Sequence, residues 1–367
     1  METTATQTIT KKKGYSLSTI SATRNELFGL AMLNIILLHW FQDVLDAFKF
    51  GGLLVAEHPA LYGAGKWYGW WFGSLGVDVF LFLSGMGLFY SMAGDPNIGN
   101  FYKKRLVRIL PTYLLMGGVF WAIRLAIKGG TFSDWWKNLC FVTFFTKGTL
   151  TLWFIGFILV MYLLYPLIHW YFNSTEKEGV RYLRFVLLLA VIMTLSLIGI
   201  QRFPAFPNAK DIVWGRIPIF LLGCFLGKYI KNGVMINGWL TGSLTTLFLA
   251  FGLLVRYYDS AYVLRRYLDI FPTLGLILLC SVLVSLQKRD NVGRKFLRLV
   301  GSYSLELYLT HVCVRNLAKC WYFGTYKWWV YLIVLIISVA LSIPLHLMGS
   351  ALGKKVHPGK NRPKTIS

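Results

Sequence analysis

Apolar runs of about twenty residues, separated by short basic or glycine-rich breaks, recur from Leu27 to Leu352. At 1.5 Å per residue a helix of that length crosses a hydrocarbon core about 30 Å thick. The pattern predicts an all-α integral membrane protein, a bundle of about ten transmembrane helices. The spans are expected near 27–46, 74–92, 108–127, 150–172, 183–200, 213–230, 237–256, 267–287, 302–320 and 328–351. One membrane domain, 24–352, is expected between two polar, basic tails, 1–23 and 353–367, read as disordered and cytoplasmic. Residues 47–73, rich in Gly, Trp and Tyr, read as an outer loop, an interfacial belt with room for a lid or an acceptor-binding surface. His58 in that loop reads as a surface residue.

Composition agrees with the pattern. Hydrophobic residues make up 56% of the chain and charged residues 14%; mean hydropathy is +0.56. The net charge of +23 would suit a nucleic-acid binder, but its placement excludes that reading. Lys and Arg collect in alternate loops, at 11–13, 103–108, 177–184, 228–231, 288–298 and 354–364. That alternation orients both termini toward the cytoplasm and suits anionic lipid headgroups, not DNA. Five cysteines lack metal-ligand spacing and read as packing residues, so no metal site is expected. There is no phosphate-binding Walker loop and no GxSxG elbow.

Ionisable residues inside apolar runs carry the functional signal, because burying them in lipid is expensive. His39 lies about 18 Å up the first span, just past the midplane. Its alternative role is a neutral imidazole bonded to a neighbouring carbonyl. Asp78 lies at similar depth in the second span and suits a carboxylate that orients His39; the competing readings are an interfacial or capping carboxylate. Ser84, Gly85, Gly87 and Ser91 are expected to serve helix packing. Arg105 and Arg108 share a helix face at the start of the third span, where a helix N-terminus and two guanidinium groups attract phosphate. An ordinary positively charged loop fits them equally. Arg216 requires a partner or a polar cavity, and Glu306 and His311, five apart, either line a channel or bond to neighbouring spans.

With these residues the chain resembles acyltransferase family 3, bacterial polytopic enzymes that acylate cell-surface glycans and related molecules. Four stretches carry the likeness in the family's order: NIILLHW around His39, GVDVFLFLSG around Asp78, FYKKRLVRILPTY with its Arg-x-x-Arg core, and GSYSLELYLTH. LWFIGFILVMYLLYP and RIPIFLLGCFLG add to it. The family's arginine eleven residues before the histidine is replaced by Phe28, and Arg24, one turn earlier, is the candidate substitute. No hydrolase-like domain of the kind appended in some members is expected.

The resemblance implies a multi-pass enzyme of the cell membrane with acyl-CoA as donor, acetyl-CoA first, and a glycan or lipid-linked sugar as acceptor. Arg105 and Arg108 would hold the donor's phosphates. His39 would act as general base or acyl carrier, with Asp78 supporting it. Arg216 would stabilise an oxyanion, and Arg24, Glu306 and His311 would support the site. The competing function is a transporter or flippase without covalent chemistry, in which the same groups line a path.

Overall fold

The computed structural model describes residues 14–73, 75–202, 213–258, 262–325 and 327–356. Strand β1 (Gly14–Ser16) and helix α1 (Ser18–Ala22) lead into α2 (Arg24–Lys49), α3 (Pro59–Phe72), α4 (Leu75–Gly94) and α5 (Ile98–Lys128). Two short helices, α6 (Phe132–Leu139) and α7 (Val142–Lys147), precede α8 (Trp153–Asn173), α9 (Glu178–Arg202) and α10 (Ile217–Lys231). Strand β2 (Met235–Asn237) is followed by α11 (Gly238–Tyr257), α12 (Tyr262–Leu268) and α13 (Ile270–Leu286). The last three helices are α14 (Val292–Ser302), α15 (Ser304–Tyr322) and α16 (Trp328–Val356).

Eight helical stretches among the described residues are long and apolar enough to cross a membrane. They are Arg24–Lys49, Pro59–Gly94, Ile98–Lys128, Trp153–Asn173, Glu178–Ile198, Gly238–Tyr257, Arg265–Leu286 and Trp328–Gly353. The expected spans 213–230 and 302–320 are also helical but fall outside that set. Helix α10 has 15 residues, about 22 Å at the helical rise and short of the hydrocarbon core. Helix α15 carries Glu306, Arg315 and Lys319. Both lie largely buried within the bundle, whereas α9 and α11 expose rows of apolar side chains such as Leu183, Leu187, Leu247 and Leu254. A polar helix can be surrounded by protein; a lipid-facing one cannot stay polar.

Close backbone approach locks the centre together. A Cβ on Gly223 would stand 2.1 Å from the Phe82 carbonyl oxygen, and one on Gly85 2.3 Å from that of Phe220. Only hydrogen at these positions lets α4 and α10 meet this closely. Gly85 thus has the packing role expected of it. Gly87 does not, as described below.

Three local expectations are corrected. Residues 59–72 of the expected outer loop are helical, with Pro59 at the first turn, where its missing N–H costs no hydrogen bond. Residues 103–108, expected as a loop before a helix start, lie inside α5, which begins at Ile98 with the Asn97 side chain capping the Asn100 N–H at 2.8 Å. Arg105 and Arg108 therefore sit about 10–15 Å beyond the helix N-terminus, outside the reach of its terminal dipole. Within the expected N-terminal tail, β1 pairs antiparallel with β2, Gly14 opposite Asn237, and the Tyr15 hydroxyl lies 2.6 Å from that of Ser281. Residues 1–13 and 357–367 of the two tails lie outside the described residues.

Candidate active site

A cavity of about 750 Å³ extends between α2, α4, α5, α8, α15 and α16, within the usual range for ligand sites. Arg24 and His39, both on its wall, are separated by about 22 Å of α2. Arg24, Arg105, Arg108 and His346 line it, as do His39, Gln42, Arg315 and Asn316, and no carboxylate does. One chamber therefore joins the Arg-x-x-Arg pair to the first-span histidine.

At the arginine end, the guanidinium carbon of Arg24 lies 4.9 Å from the centre of the Phe28 ring. The side chain one turn earlier thus brings a cation to the neighbourhood of Phe28, consistent with its reading as a substitute. Space for it comes from Gly87, where a Cβ would stand 3.0 Å from Arg24 Nη2. The Gly87 carbonyl also accepts from Arg105 Nη2 at 3.3 Å, and the Arg105 guanidinium lies 5.7 Å from the Phe101 and Tyr162 rings. Gly87 and Ser84, expected as packing residues, both belong to the site.

The Nε atoms of Arg24 and Arg105 are buried without hydrogen-bond partners. Arg108, partly exposed, lies 3.7 Å from Glu306 Oε1, and His346 Nδ1 lies 3.5 Å from the same oxygen. Those separations are ion-pair contacts, not hydrogen bonds, and both Glu306 oxygens remain unbonded. Three guanidinium groups and one distant carboxylate leave this end net positive. Partly desolvated cations in excess of their partners favour an anionic ligand.

At the other end, α2 and α15 run parallel in strict register. The His39 and His311 rings stack at 5.3 Å with 13° between their planes. One turn on, Arg315 donates two hydrogen bonds to the Asp43 carboxylate, at 2.8 and 2.6 Å. Lys319 then bridges Asp43 and Asp46 at 2.7 and 2.9 Å. Positions four apart share a helix face, so His39 with Asp43, and His311 with Arg315, form two matched pairs. His311 is fully buried and does not line the cavity, while His39 does. The expectation that Glu306 and His311 need not pair is met: Glu306 approaches Arg108 and His346, His311 approaches His39.

Asp78 is not the partner of His39. Its carboxylate accepts from Arg216 Nε at 2.9 Å in a pair buried on both sides. Val77 and Phe80, its neighbours on α4, line the cavity, whereas Asp78 and Arg216 do not. Rise along a helix fixes depth but not direction, and the roughly 100° turn per residue directs Asp78 away from the chamber. Arg216 stacks over Trp153 at 5.2 Å, and a second buried pair, Arg256 with Asp269 at 2.8 Å, lies on α11 and the turn before α13. The geometry therefore favours a structural pair over the expected orienting and oxyanion roles.

Sequence reasoning did not single out Arg315, Asp43, Gln42, Asn316 or His346. The first two had a readable signal, a charge four residues after each buried histidine. The others are polar residues whose direction only the packed helices define. Among the described residues no group of three His, Cys, Asp or Glu side chains is placed to hold a metal ion.

A family model described as an acyltransferase domain matches residues 29–347, nearly the whole chain. No curated protein and no solved structure matches it.

Proposed function

Because the chain belongs to acyltransferase family 3, we propose that it moves an acyl group, acetyl first, from acyl-CoA to a hydroxyl of a cell-surface glycan or lipid-linked sugar. The observation that carries this reading is the single cavity shared by Arg24, Arg105, Arg108 and His39. The donor's phosphates sit against the three arginines, whose unsatisfied donors suit charged oxygen. The pantetheine arm follows the cavity along α2 and delivers the thioester to His39. The enzyme resides in the cell membrane, with its donor end on the cytoplasmic side.

In the transfer, His39 removes the acceptor hydroxyl proton as the oxygen attacks the thioester carbonyl carbon. The tetrahedral intermediate collapses with cleavage of the carbon–sulfur bond. The thiolate of CoA then takes the proton from His39, and the ester leaves. In a relay, a His39 nitrogen attacks the thioester carbon, the CoA thiolate leaves and takes the imidazole proton, and the acceptor oxygen then displaces the imidazole, which takes up the hydroxyl proton. Gln42, Asn316 and Arg315 supply polar contacts for the acceptor.

The test is transfer of labelled acetyl from acetyl-CoA by purified protein in nanodiscs, with a panel of glycan acceptors. Label on protein or acceptor with wild type, and none with His39→Ala, is the expected result. Absence of label with folded wild type across the panel would favour transport without chemistry. Equal label with both would remove His39 from the reaction.

A further inference from the structure

The His39 ring needs a fixed plane to present one nitrogen to the chamber, yet its Nδ1 is buried without a hydrogen-bond partner. Among the described residues no carboxylate bonds to it. What it has is a face-to-face neighbour, the fully buried His311 ring at 5.3 Å and 13°. That neighbour is itself held. The Tyr331 hydroxyl donates to the Ile36 carbonyl at 2.6 Å and lies 3.5 Å from His311 Nε2. Since its single proton goes to Ile36, the hydroxyl faces His311 as an acceptor, which assigns a proton to His311 Nε2. The Tyr331 ring also meets His311 edge-on at 6.0 Å. Below the stacked rings, the Asp43–Arg315 and Asp46–Lys319 bridges fix the register of α2 against α15.

We propose that His311 is a positioning residue for the transfer: its ring, anchored by Tyr331, holds the His39 imidazole by stacking and stabilises it as it gains the acceptor proton. A neutral aromatic face attracts a developing cation beside it, so the contact strengthens in the transition state. Interactions that strengthen there raise kcat, whereas uniform binding alters KM. Tyr331, on α16, thereby ties a third helix to the reacting group without touching substrate.

The proposal rests on acyl transfer by His39, and the wild-type reaction separates the two claims: without wild-type transfer the enzyme reading fails, whatever His311 does. With wild-type transfer established, His311→Phe keeps a stacking face and His311→Gln keeps polarity without a ring. His311→Gln is expected to lose about tenfold or more in kcat with the KM for acyl-CoA unchanged. His311→Phe and Tyr331→Phe both keep a stacking face and lose the hydroxyl contact, so each should fall between wild type and His311→Gln, within about threefold of wild type. CoA binding by each variant confirms that it is folded. If either His311 variant does not fold, Tyr331→Phe alone decides, by a fall in kcat at constant KM. Equal activity of His311→Gln and His311→Phe, an effect on KM in place of kcat, or a wild-type kcat in Tyr331→Phe would overturn it.

Discussion

Two groups of charge lie on opposite sides of α4, and they differ in one respect. Asp78 with Arg216, and Arg256 with Asp269, are pairs closed in charge at 2.9 and 2.8 Å, each guanidinium meeting a carboxylate and all four groups buried. Of Arg24, Arg105 and Arg108, only Arg108 approaches a carboxylate, Glu306 at 3.7 Å, and Arg24 and Arg105 keep an unbonded buried nitrogen. A closed pair offsets its own desolvation and asks for no ligand; an open cluster stays unfavourable until an anion arrives. The difference separates a structural strut from a binding site, although both are intramembrane charges of the kind that sequence alone marks as functional.

Substitutions can break that division. The largest effect is expected at His39, where alanine should lower acetyl transfer by about 10²–10⁴-fold, the usual contribution of a positioned general base. CoA affinity, measured by calorimetry, should be unaffected. Next comes Asp78→Ala, which removes the carboxylate bonded to the buried Arg216 and should cost about 3–5 kcal/mol of stability. Thermal unfolding in detergent reads this directly. A stable Asp78→Ala protein with normal CoA binding and no activity would instead return Asp78 to the chemistry.

Arg105→Ala and Arg108→Ala should each weaken CoA binding about tenfold or more, since a charge-assisted hydrogen bond contributes about 1.5–3 kcal/mol. Arg105→Ala should leave stability unchanged, because no ion pair is broken, whereas Arg108→Ala removes a cation from the buried Glu306 and should lower it slightly. Arg24→Ala should behave alike if it substitutes for the family arginine, and rising ionic strength should narrow all three differences. Stabilisation in any of them would still agree with an open cluster; loss of folding would not.

The smallest effect is expected at Asp95, in the turn between α4 and α5. Its hydrogen bond from Lys104 and the Asn97 backbone N–H hold its carboxyl below the ordinary carboxylate range. A carboxyl lowered in the folded state stabilises it above the unfolded titration range, and that contribution disappears as pH falls through the folded one. Asp95→Asn should therefore flatten slightly the acid limb of the stability curve and leave transfer at neutral pH unchanged. Asp95 lies partly exposed in a surface turn, so the change is small.

The helices were legible because apolar length is a one-dimensional signal. The family was legible because its motifs keep their order, and the match over residues 29–347 agrees with that reading. Direction around a helix was not legible from depth alone. His39 and Asp78 do lie on adjacent helices, yet one residue of rotation sends Asp78 to Arg216 and leaves Val77 facing the chamber. The same limit hid the α2–α15 seam, where the spacing His39–Asp43 and His311–Arg315 becomes informative only once the two helices are known to face each other. Gly87 shows the converse: a small residue in a run of small residues reads as packing, but here its missing side chain makes room for Arg24. The helix-terminus argument for Arg105 and Arg108 failed because α5 starts at Ile98, nearly three turns before the apolar run expected from residue 108.

The central claim is that one chamber holds the donor's phosphates at one end and its thioester at the other. The direct measurement is a cryo-electron microscopy structure of the protein in nanodiscs with bound CoA. The account predicts phosphate density against Arg24, Arg105 and Arg108 and the thiol end of the ligand beside His39. Phosphate density elsewhere on the protein, or a pantetheine arm directed away from His39 toward Asp78 and Arg216, would contradict it.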